Sequence, residues 1–280
     1  LLWSAALTEL VGCIATQEYA NSMHAPVVDA FSTLPTERCP LNAVTTGRIE
    51  GATYDIEKVH FDSRPGLPVT ANLYLPRACR SGAVVPGIVH SCGHSFTGKA
   101  EDKYQEASAR LASSGMAVLI FDPINQGERD QYHCTQSTKD GLPTSHHLRA
   151  SCTCAHNMMG KQLELLGDNF GAWRMWDGMV ALDYLLTRPE IDPAHLGITG
   201  NSGGGTMTSW IWALVSRQID TPPRSPTYTL RACVPMQDTR FTMAAPSCFI
   251  TTFEKNLEVC MHKSQILSVH RLLATALSPL

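Results

Sequence analysis

Residues 198–206 read Ile-Thr-Gly-Asn-Ser-Gly-Gly-Gly-Thr, and no other stretch of the 280-residue chain restricts its fold as strongly. An apolar run, 195–199, leads in, and an apolar segment with helical spacing, 207–215, leads out. A serine flanked as Gly-x-Ser-x-Gly between a strand and a helix sits on a turn so tight that side chains on its neighbours would strike the two elements. Small residues at Gly200, Gly203 and Gly204 remove that collision and leave the Ser202 hydroxyl exposed. Ser202 is therefore the candidate nucleophile. The N–H of Gly203 falls at a helix N-terminus, where unpaired donors and the helix dipole favour a developing oxyanion. Taken alone, the motif also fits a glycine-rich loop with a structural serine.

The flanking chain supports the first reading. Residues 54–61 and 67–75 alternate with period two around a Ser-Arg-Pro-Gly turn, predicting an antiparallel hairpin with Pro68 on an edge. Residues 84–90 and 116–121 are short apolar runs, the mark of strands buried on both faces. The spacing of Tyr104, Ala107 and Leu111 predicts a helix over 101–114, ended by Gly115. Met175, Met179, Leu182 and Leu186 predict another over 172–186, stopped by Pro189. Between them, 130–170 reads as a long polar insertion with His133, His146, His147 and His156. Strands alternating with helices predict an α/β fold. Its sheet is mainly parallel, covered by helices on both faces, with an antiparallel hairpin at the N-terminal side. Residues 1–50 read as a wrapping arm with a helix over 8–19, and 217–237, rich in proline, as an irregular insertion. The next strand is expected at 243–250, with 230–236 competing, and helix after 254.

Composition removes several function classes. Hydrophobic residues make up 44% and charged residues 17%, a globular balance. A net charge of −3 gives no electrostatic case for nucleic acid or an anionic membrane. No apolar run reaches the roughly 18 residues of a membrane span. Ten cysteines permit disulfides, for example among Cys134, Cys152 and Cys154, but Cys92, Cys233 and Cys248 fit small buried hydrophobes equally well. The compartment stays open. The chain opens Leu-Leu-Trp-Ser, without an initiator Met or a basic leader, and reads as a fragment or a processed chain.

A serine nucleophile needs two oxyanion donors, a base and an orienting acid. The second donor comes from the loop after an earlier strand, here His90-Ser-Cys-Gly-His94, so the N–H of Ser91 or Cys92 is the candidate. Cys92 as a nucleophile lacks the sharp turn that Ser202 has. Cys134, Cys152, Cys154, His133 and His156 fit no two-plus-two zinc spacing, so no metal and no cofactor is expected. Asp122 is expected to cap or to pair with Arg129, and Trp173 and Trp176 to sit in the core. Downstream of Ser202 the histidines are His262 and His270, and the acids Asp220, Asp238, Glu254 and Glu258. Neither histidine follows a strand-like run. The strands carrying acid and base are therefore expected to be missing from this chain, or its tail altered. His90, His94 or His156 could instead approach from upstream, an unusual arrangement.

Five segments together resemble the α/β-hydrolase superfamily, most of all its dienelactone-hydrolase and acetyl-xylan-esterase-like branch. They are 64–76, 87–94, Phe-Asp-Pro-Ile-Asn-Gln-Gly-Glu-Arg at 121–129, Trp-Arg-Met-Trp-Asp-Gly at 173–178, and Gly-Asn-Ser-Gly-Gly at 200–204. The resemblance implies Ser202 as nucleophile and the Gly203 N–H with the Ser91–Cys92 backbone as oxyanion donors. It finds no matching late acid and histidine segments, and the stretch from 217 to about 237 is foreign to the pattern. It implies a hydrolase domain over 51–280, incomplete at the C-terminal side. The implied function is a serine hydrolase of carboxylic esters, acetylated carbohydrate among them, with a small-molecule ester as its partner. Two rivals stay open. One is a serine peptidase of the prolyl-oligopeptidase type, whose usual propeller has no room in 280 residues. The other is a truncated, catalytically inactive protein with the hydrolase fold.

Overall fold

The computed structural model describes residues 33–35, 37–137, 143–147, 152–215 and 241–247, with only the backbone course given for 133–137 and 143–147. In chain order the strands are β1 (Val44–Glu50), β2 (Tyr54–Arg64), β3 (Leu67–Pro76), β4 (Val85–Ser91) and β5 (Ala117–Phe121), then β6 (His133–Ser137), β7 (Pro143–His147), β8 (Ile191–Asn201) and β9 (Met243–Ser247). The helices are α1 (Asp102–Ser113), α2 (Cys152–Leu165), α3 (Phe170–Leu186) and α4 (Gly203–Val215).

Seven strands form one sheet in the order β1-β2-β3-β5-β4-β8-β9. The first four of these pair antiparallel. The pairs β5–β4, β4–β8 and β8–β9 are parallel. The hairpin of β2 and β3 turns at Gly66, whose φ of 73° suits a residue without Cβ. β5 shows why the parallel strands read as continuous apolar runs. Ala117, Leu119 and Phe121 join a core under α3 and α4, with Met175, Trp176, Leu182 and Ile211. Val118 and Ile120 point the other way, into a second core with Tyr74, Tyr104 and Ala112 beneath α1. Both faces are dry, so alternation disappears. This is the α/β architecture with helices on both faces that the sequence predicts, and its parallel strands end together on one rim.

Three details differ from the sequence reading. β1 lies within the stretch assigned to the arm. Six of its seven residues are exposed, so it carries no apolar pattern and is held through its ladder with β2. Among the described residues of 130–170 are an antiparallel ribbon, β6–β7, and the helix α2. The ribbon's polar residues hid the pairing, and the buried face of α2, with Ala155, His156 and Leu163, is broken by polar residues. α1 buries Tyr104, Ser108 and Ala112, a stripe four apart that a serine interrupts, rather than one centred on Ala107. The expected strand after α4 is present as β9. The readings at 8–19, 217–237, 230–236 and beyond 254 lie outside the described residues.

Candidate active site

The rim begins with the end of β8. Asn201 closes the strand, Ser202 turns, and α4 starts at Gly203. Ser202 has φ 56°, the left-handed region, and is exposed. A non-glycine residue held there costs on the order of 1–3 kcal/mol and persists only where its surroundings enforce it. Those surroundings are backbone. The Ser202 N–H donates to the Ser247 carbonyl on β9 at 2.9 Å, and the Thr206 N–H to the Ser202 carbonyl at 3.0 Å. The end of β4 presses in from the other side. A Cβ on Gly204 would fall on the Ser91 carbonyl oxygen, and one on Gly200 would lie 2.5 Å from it. Neither obstacle can swing away, so these two positions require glycine. A Cβ on Gly203 would lie 2.8 Å from Cε1 and Nδ1 of His94.

The chain after β4 passes along this turn. Ser91 still pairs with Phe121 on one side and Gly200 on the other. Cys92 follows, with Sγ buried 3.3 Å from the Phe121 carbonyl. Burial pushes its thiol well above the ordinary range, with Asp122 adding to the effect. Cys92 is thus a core thiol here and unsuited to attack. Gly93 is the residue that touches the elbow: a Cβ there would stand 3.4 Å from Ser202 Cβ. His94 comes next and is half-buried.

The loop after β5 fixes this passage, a role that the sequence reading gave to none of its residues. Gln126 Nε2 donates to the Gly93 carbonyl at 2.8 Å, and the Gly127 N–H to the Phe96 carbonyl at 3.0 Å. The buried Asp122 carboxylate accepts from the Lys99 N–H at 2.7 Å, from Lys99 Nζ, from Thr70 Oγ1 at 2.7 Å and from the Glu128 N–H. Its ion-pair partner is Lys99, not the expected Arg129. Arg129 reaches the Asp122 backbone carbonyl instead and pairs with Asp177 at 2.7 Å. Sequence separation concealed the Lys99 partnership.

The upstream histidines divide. His90, on β4, points under α1, where Nδ1 lies 3.0 Å from Ser108 Oγ and the ring meets Tyr104 edge-on. Burial lowers its pKa to about 4. His94 Nε2 lies 3.1 Å from Nδ1 of His156. His156, on α2, has Nε2 2.8 Å from the Ile124 carbonyl. Burial first, then the Arg174 charge, then His94, hold the His156 pKa well below its usual value. Arg174 is itself buried, which lowers its pKa to about 10. Its Nε and Nη2 have no hydrogen-bond partner among the described residues.

Trp176 is a core residue as expected, with Nε1 donating to the Ser63 carbonyl at 2.7 Å. Trp173 is half-buried, donates to Asp168, and carries the Arg64 guanidinium 4.0 Å over its ring. Among the described residues no cluster of three or more His, Cys, Asp or Glu could hold a metal ion. His262, His270 and the four late acids lie outside the described residues.

No family model matches the chain, and no curated protein sequence matches it. Solved structures do. One is a proposed acetyl xylan esterase from Bacteroides fragilis, with 16% identity and TM-score 0.54, covering 71% of this chain and 51% of its own. Another is a methylesterase with 22% identity and TM-score 0.54, covering 71% of this chain and 38% of its own. The chain thus spans about half, or less, of the length of these neighbours. At such identities the likeness concerns architecture, and the architecture is the α/β-hydrolase fold.

Proposed function

We propose that this protein is a serine hydrolase of carboxylic esters, with Ser202 as nucleophile. One observation carries the reading: an exposed serine held at φ 56° between a parallel strand and a helix N-terminus, in a cradle where Gly200 and Gly204 leave no room for a side chain. Strain of this kind has no evident structural use here, and it presents a hydroxyl to substrate.

In this reading Ser202 Oγ attacks the ester carbonyl and forms an acyl-enzyme, which water then hydrolyses. The Gly203 N–H, first in α4, is one oxyanion donor. The second comes from the backbone after β4. Ser91 is paired on both sides within the sheet, so of the two candidates Cys92, just past the strand's end, is the better placed. Each such donor contributes on the order of 3–4 kcal/mol to the transition state. The substrate assigned is a small ester. The names of the two structural neighbours, an acetyl xylan esterase and a methylesterase, favour ester over amide, and acetylated carbohydrate is the class to try first.

The test is labelling with a fluorophosphonate and turnover of p-nitrophenyl esters by the full chain. Wild type is expected to label and to release p-nitrophenol. Ser202→Ala should not label and should lose at least about 10³-fold in turnover. Equal labelling of wild type and Ser202→Ala would overturn the assignment. Cleavage of aminoacyl anilides without ester turnover would replace it with the peptidase reading.

A further inference from the structure

The chain after β4 meets the elbow through backbone alone. A Cβ on Gly204 would fall 2.8 Å from the Cys92 carbonyl carbon and 2.9 Å from the Gly93 nitrogen. A Cβ on Gly93 would stand 2.4 Å from the Asn201 carbonyl oxygen, 2.5 Å from the Tyr104 hydroxyl and 3.4 Å from Ser202 Cβ. Position 93 therefore has no room for a side chain. Glycine solves the packing but brings freedom with it, because without a Cβ the peptides on either side turn more easily. A carbonyl oxygen turned toward the elbow would set the negative end of a dipole where the proposed reaction develops negative charge. Something has to fix the Gly93 peptide.

The strand order supplies the direction. β4 lies between β5 and β8, so the loop after β5 and the elbow after β8 flank this passage on opposite sides. From the β5 side, Gln126 Nε2 donates to the Gly93 carbonyl at 2.8 Å. The carbonyl only accepts, so the NH2 end of the amide faces it and Oε1 faces away. There Oε1 is buried and has no hydrogen-bond partner among the described residues. Gly93 alone thus sets the orientation of this amide. A fold that leaves one buried acceptor unpaired while it fixes another gives priority to the second. The backbone of Gln126 is anchored separately. Its N–H donates to the Pro123 carbonyl and its carbonyl accepts from the Arg129 N–H, both at 3.1 Å.

We propose that Gln126 is a positioning residue of the oxyanion hole: its amide draws the Gly93 carbonyl to the β5 side and so keeps the Cys92 N–H, one peptide earlier, aimed at the developing oxyanion. The proposal rests on the ester-hydrolase reading above. Gln126 touches no substrate and makes or breaks no bond; it acts through Gly93. The Cys92 side chain is drawn to the same side, with Sγ at the Phe121 carbonyl, so both residues of the passage are tied to β5 or to the loop that follows it.

The experiment uses the full chain, with p-nitrophenyl acetate turnover, fluorophosphonate labelling and inhibition by phenylboronic acid, whose adduct with a serine is a tetrahedral anion. Gln126→Leu removes the donor. It is expected to lower kcat about tenfold or more, a part of the roughly 10²–10³-fold lost with a whole oxyanion donor. The boronate should bind more weakly by a similar factor, with KM nearly unchanged. Gln126→Asn keeps an amide in the loop but is one methylene too short to reach the Gly93 carbonyl, and should show the same pattern; it decides alone if the leucine variant does not fold. Turnover within about twofold of wild type, in a chain that Ser202→Ala silences, would overturn the proposal and leave the ester-hydrolase reading intact. A fall in kcat with an unchanged inhibition constant would assign Gln126 to folding, since less folded enzyme lowers the rate without altering the affinity of what remains, and would also overturn it. Failure of wild type to label or turn over would bring down the underlying reading instead.

Discussion

The antiparallel edge and the parallel rim of this sheet each bury an aspartate, Asp55 and Asp122, and the groups packed around the two differ. At the edge, Asp55 on β2 is almost inaccessible, but both of its oxygens are matched. Arg80 reaches Oδ1 and Oδ2, Arg48 reaches Oδ2 at 2.7 Å, and the Gly51 N–H reaches Oδ1. The Arg80 hydrogen bond, more than anything else, holds its carboxyl far below the usual range. At the rim, Asp122 is matched as fully, but its neighbours are not. The Ser91 hydroxyl, Asn125 Oδ1, Gln126 Oε1 and two nitrogens of Arg174 have no hydrogen-bond partner among the described residues. Each such group costs roughly 1–3 kcal/mol. A fold tolerates that where orientation matters more than stability, and the rim is where the strained serine sits. The edge is built to hold the sheet; the rim is built to aim groups.

The largest test of this contrast removes one carboxylate from each region. Asp122→Asn leaves Lys99 buried with only the exposed Glu128 as counter-ion, and should cost about 3–5 kcal/mol in urea unfolding. Asp55→Asn leaves Arg48 and Arg80, both partly exposed, free to turn to water or to Glu50 and Glu57. That loss should be about 1–2 kcal/mol. Equal losses would mean that solvent reaches both regions alike and would end the comparison.

Acid sharpens it next. His90 is buried neutral, with a pKa lowered to about 4 by desolvation, against about 6.5 in an unfolded chain. The unfolded state binds the proton first, so this residue costs nothing above pH 6.5. Below that the protein loses stability as pH falls, until about pH 4, where the folded state protonates too. The full loss is about 3 kcal/mol. His156, shifted the same way, adds to the slope. Asp55, shifted down, contributes stability above the unfolded carboxylate pKa and loses it only at more acidic pH. Urea midpoints between pH 7 and 4 should therefore fall, and His90→Asn should flatten the fall. An unchanged slope would place that histidine in water.

A third test asks whether the elbow glycines serve space or flexibility. Gly204→Ala drives a methyl into the Ser91 carbonyl. It should cost up to about 3 kcal/mol, read as a fall in the urea midpoint, because backbone on both sides must move. The same change at Gly203 meets only the edge of the His94 ring, which can swing, so its fold should survive better than its activity.

These residues also show how far the sequence could be read. The elbow, the parallel strands and α3 were legible because each repeats a local rule: a glycine pair around a serine, an apolar run, a stripe on a helix. β9 was legible for the same reason. β1 was not, since a strand exposed along its length has no pattern beyond its ladder. Nor was α2, whose buried His156 looked like part of a polar loop. Asp122 drew notice by its place after a strand, but Lys99, its partner, stands 23 positions away, and no spacing rule joins them. His94 and His156, 62 positions apart, meet only because the loop after β5 folds between β4 and α2. Local chemistry marks the candidate nucleophile, whereas the groups around it are brought together by tertiary contacts that leave no local trace.

The smallest effect has the opposite sign. Ser202 bears a Cβ in the left-handed region, and the hydrogen bonds that enforce it run through backbone: its own N–H to Ser247 and its carbonyl from Thr206. Ser202→Gly keeps both bonds and removes the strain, at the expense of greater freedom in the unfolded chain. The relief is on the order of 1–3 kcal/mol and the entropic loss about 1, so the net gain should be about 1 kcal/mol. Turnover should vanish in the same protein. Ser202→Ala, which keeps the Cβ, should lose turnover without gaining stability. A pair of melting curves therefore separates the two roles of this residue: a rise in Tm for glycine but not alanine locates the strain in the backbone angle, where a nucleophile elbow needs it. A Tm that falls for both would mean that the hydroxyl itself holds the turn, and Ser202 would then be a structural serine.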